Sequence, residues 1–148
     1  DARLAPVMAG VLAARGTDAL VFRGDDGLDE LTITGPSTVW VVRDGTVEQT
    51  SFDPAWLGIA RASLRDLRGG DVTVNAAAAR DLLAGAPGPV RDAVLLNAAA
   101  ALAAHAASPG DLTSRLRDGL DRGAAALSDG RAGALLNRWV EVSQGLRA

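Results

Sequence analysis

The residues best suited to chemistry in this 148-residue sequence lie in Gly24-Asp25-Asp26-Gly27-Leu28-Asp29-Glu30, where four carboxylates follow directly on the apolar run Ala19-Leu20-Val21-Phe22. Magnesium takes oxygen ligands and is held by one or two protein carboxylates, its other positions going to water and substrate phosphates. Asp29 and Glu30 meet that requirement. Neighbours on a regular strand point to opposite faces, so both serve one cleft only where the backbone turns, or else each faces a different ion. Gly24 and Gly27 supply the freedom for such a turn. The competing reading is a solvated acidic turn, common at strand ends. Asp25 and Asp26 read in that way, contributing field but not ligation, with Asp26 the nearer of the two to an exception.

The elements that must position this stretch follow from pattern. Leu4, Val7, Met8, Val11 and Leu12 repeat at helical spacing and predict a helix over 1–15. Residues 19–22 read as a strand buried on both faces, of the kind found in parallel sheets. Residues 38–42 and 46–51 flank Arg43-Asp44-Gly45, and Asp-Gly between β-rich runs predicts an antiparallel hairpin. Asp53-Pro54 reads as a cap with proline in the first turn, leading to a short helix over 62–67. Beyond Gly69 the chain is predicted almost entirely helical. Asp71 caps a helix to residue 84, Gly85-Ala86-Pro87-Gly88-Pro89 breaks it, and 90–106 follows with Val94, Leu95, Ala98 and Leu102 on one face. After Ser108-Pro109-Gly110-Asp111, helices over 112–127 and 131–142 complete the sequence. Asn97 is expected to be a buried amide satisfied by neighbouring backbone. His105 is expected to complement a helix dipole, and Trp40, Trp56 and Trp139 to anchor an aromatic-poor core, Trp139 with the option of facing another segment.

Composition limits what such a chain can be. Its length suits one domain with a single core. Thirty alanines against 3% aromatic residues predict closely approaching helices with small side chains. The absence of cysteine excludes disulfides and thiolate zinc sites, and a single histidine excludes a histidine-rich metal centre. A reducing, cytoplasmic setting is expected, with no apolar run long enough to span a bilayer. All fifteen basic residues are arginine, dispersed in a chain of net charge -3, which argues against a nucleic-acid surface. The sequence starts at Asp1 inside a predicted helix, and a truncated, cleaved or split product is expected. The elements together define an α/β fold with few strands, a β-hairpin and a helix-rich second half, and one parallel-type strand without its neighbours.

Asp26-Gly27-Leu28-Asp29-Glu30, followed by Leu31-Thr32-Ile33-Thr34-Gly35-Pro36, closely resembles the D-G-L-D-E stretch of the anthranilate phosphoribosyltransferase family. Gly69-Gly70-Asp71 with Asn75-Ala76, the segment from Gly88 through Asn97 to Ala99, and Asp129-Gly130-Arg131-Ala132 resemble later segments of that family, in order. The resemblance covers essentially the whole chain. It implies the C-terminal part of a nucleoside phosphorylase/phosphoribosyltransferase-like α/β domain over residues 1–148, from an enzyme that joins anthranilate to phosphoribosyl pyrophosphate in tryptophan biosynthesis and releases pyrophosphate. It further implies Mg2+ as cofactor with Asp29 and Glu30 as its ligands, a homodimer, and neither carboxylate as a general base. In such a transfer positive charge develops at the sugar carbon and negative charge on the leaving group. Metal stabilisation of the leaving charge is then the central electrostatic contribution.

Two departures qualify the match. The family's G-T-G-G-D phosphate loop and K-H-G-N stretch, which belong to its N-terminal half, are absent from this sequence, so the chain is expected to need that half and to be inactive alone. Arg23-Gly24 also stands where the family usually has His-Gly. Two rival readings remain open from the residues: a pyrimidine nucleoside phosphorylase-like enzyme fragment, and a non-catalytic fragment that docks to another chain through an open strand edge.

Overall fold

The computed structural model describes residues 2–106 and 109–146, leaving the expectations for Asp1 and Ser108 outside the described residues. Helix α1 (Ala5–Ala14) leads to strands β1 (Ala19–Gly24), β2 (Ser37–Arg43) and β3 (Thr46–Phe52). A 3-10 turn (Pro54–Leu57) and an irregular stretch then precede α2 (Val72–Leu83), α3 (Pro89–Ala106), α4 (Leu112–Ser128) and α5 (Arg131–Gly145). The α/β class read from the sequence is the class observed.

The strands form one sheet in the order β1-β2-β3, antiparallel throughout, with Phe22 opposite Val39 and Val39 opposite Thr50. Alternation sends Leu20, Phe22 and Val39 to one face, where they meet Leu96, Ala100 and Leu116 of α3 and α4. Ala19, Val21, Trp40 and Val42 go to the other face and pack on α1. The sheet is thus a middle layer between α1 and the α3–α4 pair. This corrects the strand expectation in part. β1 is covered on both faces but pairs antiparallel, and residues 19–23 are only half-buried because β1 lies at the sheet edge.

The hairpin forms where Asp-Gly predicted it. Asp44 (φ 49°) and Gly45 (φ 72°) both take left-handed conformations, as a type I′ turn demands. Asp53 caps the 3-10 turn by accepting from the Ala55 N–H at 2.8 Å. No helix forms over 62–67, where Asp66 instead accepts from the N–H and hydroxyl of Ser63 at 2.8 and 2.7 Å and closes a turn. A side chain offering such local bonds competes with the helical ladder in so short a segment.

Small residues do set the helix spacing, and they overturn two expected faces. In α1 the residues against the sheet are Ala5, Ala9 and Ala13, while Leu4, Val7, Met8 and Val11 are exposed. The helix starts at Ala5, not at residue 1, with Pro6 in its first turn. In α3 the buried set is Leu95, Leu96, Ala99, Ala100 and Ala103, while Val94 is exposed and Ala98 and Leu102 are half-buried. A Cβ on Gly119 of α4 would lie 2.5 Å from the Ala99 carbonyl oxygen, so α3 and α4 approach to backbone contact. Of the tryptophans, Trp40 alone is buried; Trp56 and Trp139 are 55% and 71% exposed, contrary to their expected role as core anchors.

Candidate metal centre

After β1 the chain leaves the sheet at Gly24 and returns at Ser37, and the intervening loop carries Asp29 and Glu30. The backbone turns at once. The Gly27 N–H donates to the Gly24 carbonyl at 3.0 Å, and the Gly24 N–H donates to the Leu28 carbonyl at 2.9 Å. Gly27 has φ 104°, a conformation that L side chains rarely adopt. Asp25 ties the loop to β2, its N–H donating to the Pro36 carbonyl and its carboxylate accepting from the Thr38 hydroxyl, both at 3.0 Å.

Asp26 organises the middle of the loop. Its Oδ2 accepts from the hydroxyls of Thr32 and Thr34, each at 2.6 Å, and its Oδ1 accepts from the Leu28 N–H at 3.1 Å. The Thr32 N–H in turn donates to Ser37 Oγ at 3.1 Å. Partial burial pushes the Asp26 carboxyl upward, but the hydroxyls of Thr32 and Thr34 and the Leu28 N–H outweigh it, and the group lies below the ordinary aspartate value. The loop also folds back closely over Gly24. A Cβ there would collide with Asp26 Oδ1 and come within 3.1 Å of Thr32.

A second clamp arrives from α3. Asn97 accepts from the Leu31 N–H at 3.0 Å and donates to the Leu31 carbonyl at 2.9 Å and to its own helix at Ala93, 3.0 Å away. The backbone-satisfied amide expected from the sequence is present, half-buried rather than fully buried. Asn75 braces the Gly70 peptide in the same two-sided manner, and Asp71 caps α2 by accepting from Thr73 and Val74. His105 sits exposed in the last turn of α3.

Between the two clamps stand Asp29 and Glu30, at bends in the backbone, exposed and without a hydrogen-bond or ion-pair partner among the described residues. The backbone bends at both residues, as serving one cleft requires, and Asp29 lines a cavity that Glu30 does not. Their chemistry fits a hard divalent cation that completes its coordination with water and phosphate oxygens. No cluster of three or more His, Asp or Glu among the described residues is placed to hold an ion by protein ligands alone. Asp29 lines its cavity, of about 360 Å³, with Leu4 just before α1, Met8 of α1, and Phe22 and Arg23 of β1. Arg23 bends back over the loop, its Nη1 donating to the Gly24 carbonyl at 3.2 Å. Sequence reasoning missed Thr32, Thr34 and Ser37 as parts of the site. The signal available was the run of hydroxyl residues beside an acidic turn.

A sheet layered between helices, with an acidic loop leaving the end of its edge strand, defines an α/β domain, and the chain belongs to the glycosyl transferase family, a/b domain, whose model matches residues 1–133. Among its curated relatives, the anthranilate phosphoribosyltransferase of Salinispora arenicola is 58% identical over 147 residues, covering 99% of this chain and 42% of that protein. The crystal structure of anthranilate phosphoribosyltransferase from Thermus thermophilus superposes with a TM-score of 0.81 at 36% identity, over 100% of this chain and 41% of that one. The Saccharomyces cerevisiae enzyme in complex with PRPP and Mg superposes with a TM-score of 0.80 over 93% of this chain and 39% of that one; its 21% identity shows a shared fold alone. The chain thus spans about 42% of the length of the first of these relatives. Their name corresponds to the first of the two enzymatic readings of the sequence.

Proposed function

We propose that residues 1–148 are the C-terminal α/β portion of an anthranilate phosphoribosyltransferase, which transfers the phosphoribosyl group of phosphoribosyl pyrophosphate to anthranilate in tryptophan biosynthesis. The observation that carries this reading is the Asp29-Glu30 pair, exposed and unengaged on a loop whose other polar groups are spent on holding its shape. High identity to curated relatives of that name supports the substrate assignment. A phosphoribosyl pyrophosphate and magnesium complex of a protein with this fold supports the metal.

On this reading Asp29 and Glu30 hold Mg2+. When bound, the ion supplies charge neutralisation on the departing diphosphate. The chain's own part is to aim the two carboxylates. Neither takes a proton during the transfer. The phosphate loop and the anthranilate contacts come from the N-terminal half of the enzyme, without which this portion is inactive, and the complete protein works as a cytoplasmic homodimer.

The test is replacement of both Asp29 and Glu30 by alanine in the complete enzyme, with turnover followed against Mg2+ concentration. Loss of a preorganised electrostatic stabiliser predicts a fall of about 100-fold or more in kcat. Undiminished turnover with an unchanged magnesium requirement overturns the assignment.

A further inference from the structure

We propose that Asp26 is a positioning residue for the Asp29-Glu30 pair, acting through the hydroxyls of Thr32 and Thr34 and never as a ligand itself. The inference rests on the reading of that pair as the metal ligands. Asp29 and Glu30 make no contact of their own that fixes their direction among the described residues. Whatever aims them must act through the backbone on either side.

The Asp26 carboxylate supplies that constraint by joining the two arms of the loop. Oδ1 holds the outgoing arm at Leu28, and Oδ2 holds the returning arm at Thr32 and Thr34. The Thr34 N–H also donates to Thr32 Oγ1 at 3.0 Å, fixing the hydroxyl that faces Asp26. The result is a ring closed between residues 26 and 32 with the acidic pair inside it, anchored to α3 where Asn97 grips Leu31. Both acceptor sites of Oδ2 are taken, so Asp26 could offer that oxygen to an ion only by breaking this ring. Of the roughly four acceptor sites on a carboxylate, three are occupied, and both bonds at Oδ2 are short. Gly24 completes the device, because any side chain there would press on Asp26 Oδ1 and Thr32.

The experiment uses the complete enzyme and two readouts that need no turnover. Free Mn2+, measured by electron paramagnetic resonance, gives the dissociation constant for the metal alone. Amide hydrogen exchange over residues 28–31 in the metal-free protein reports the order of the loop. Thr34→Val removes one bond to Asp26 while leaving every carboxylate in place, and Asp26→Ala removes all three. Partners behind metal ligands are commonly worth 10- to 100-fold in affinity. We therefore expect Thr34→Val to weaken Mn2+ binding several-fold and Asp26→Ala by about 10-fold or more, each with faster exchange at Leu28 and Leu31. Thr34→Val lies on the loop surface and keeps the test valid should Asp26→Ala fail to fold. Unchanged Mn2+ affinity in Thr34→Val, alongside weakened binding in Asp29→Ala/Glu30→Ala, overturns the positioning role and leaves the metal assignment standing. Tighter binding in Thr34→Val likewise overturns it, by showing that a freed Asp26 ligates. Unchanged binding in Asp29→Ala/Glu30→Ala removes the metal assignment, and the inference falls with it.

Discussion

At the scale of single residues, the chain uses aspartate in two opposed ways. Asp26, Asp66, Asp111 and Asp129 accept hydrogen bonds that hold local structure, and all four sit below the ordinary aspartate value. At Asp111 the cause is the Ser114 N–H at the start of α4, and at Asp129 it is the Arg131 N–H. A carboxylate with a depressed folded-state value binds fewer protons folded than unfolded. Its stabilising effect is therefore complete above the unfolded value of about 4 and fades as pH falls through the lower folded value. Denaturant midpoints measured stepwise downward from pH 6 should fall most steeply below about pH 4. Asp111→Asn keeps the cap acceptor but not the titration, so it should flatten part of that fall while leaving neutral-pH stability nearly unchanged. An unaltered acid slope in that variant refutes the role given to Asp111. Asp29 and Glu30 were singled out in the sequence by the D-G-L-D-E resemblance, and their part as ligands belongs to the proposed reading. The Asp26 ring was not, because its partners are threonines on the far arm of a loop, and only three-dimensional closure brings them together.

At the scale of elements, legibility depended on whether a local rule or a packing choice decided the outcome. The Asp44-Gly45 turn, the Asp71 cap and the breaks at Gly85 and Pro109 are local, and each appears where the sequence placed it. The buried faces of α1 and α3 are packing choices. Large apolar residues and alanines both repeat at helical spacing; close approach to the sheet selected the alanines in α1, while α3 buries Leu95 and Leu96 together with Ala99, Ala100 and Ala103. The same competition makes the α3–α4 contact intolerant of added volume. At Gly119 a methyl group would meet Ala99 backbone atoms at 2.5, 2.8 and 3.0 Å, and backbone cannot swing aside as a flexible side chain does. Overpacking of this kind costs about 1–3 kcal/mol, and rigid neighbours place Gly119→Ala at the upper end. A lowered denaturation midpoint with an unchanged m-value checks it. A loss below about 0.5 kcal/mol, typical of neutral surface changes, refutes backbone contact as the limit on helix spacing.

At the scale of the whole molecule, two surfaces of the chain look built to be covered. Helix α1 is apolar on both sides, with alanines against the sheet and Leu4, Val7, Met8 and Val11 facing out, the pattern of a helix buried all round. Beside it the cavity that Asp29 helps to line runs from α1 to β1, whose outer edge has no strand partner among the described residues. On the proposed reading the occupant is the N-terminal half of the enzyme, since this chain matches 42% of a relative's length and the cover would bring the rest of the site against Asp29. Burying a valine fully contributes about 1.5–3 kcal/mol, and a charge in its place adds a desolvation cost. Val7→Asp/Val11→Asp should therefore leave the 148-residue chain's circular dichroism unchanged, because both side chains are already in water there. When the chain is co-expressed with a tagged N-terminal half, the same pair of changes should abolish co-purification, which the unsubstituted chain should show. Retained co-purification of the double variant places the N-terminal half elsewhere. Loss of helical signal in the isolated chain shows instead that the outer face of α1 already supports the fold by itself.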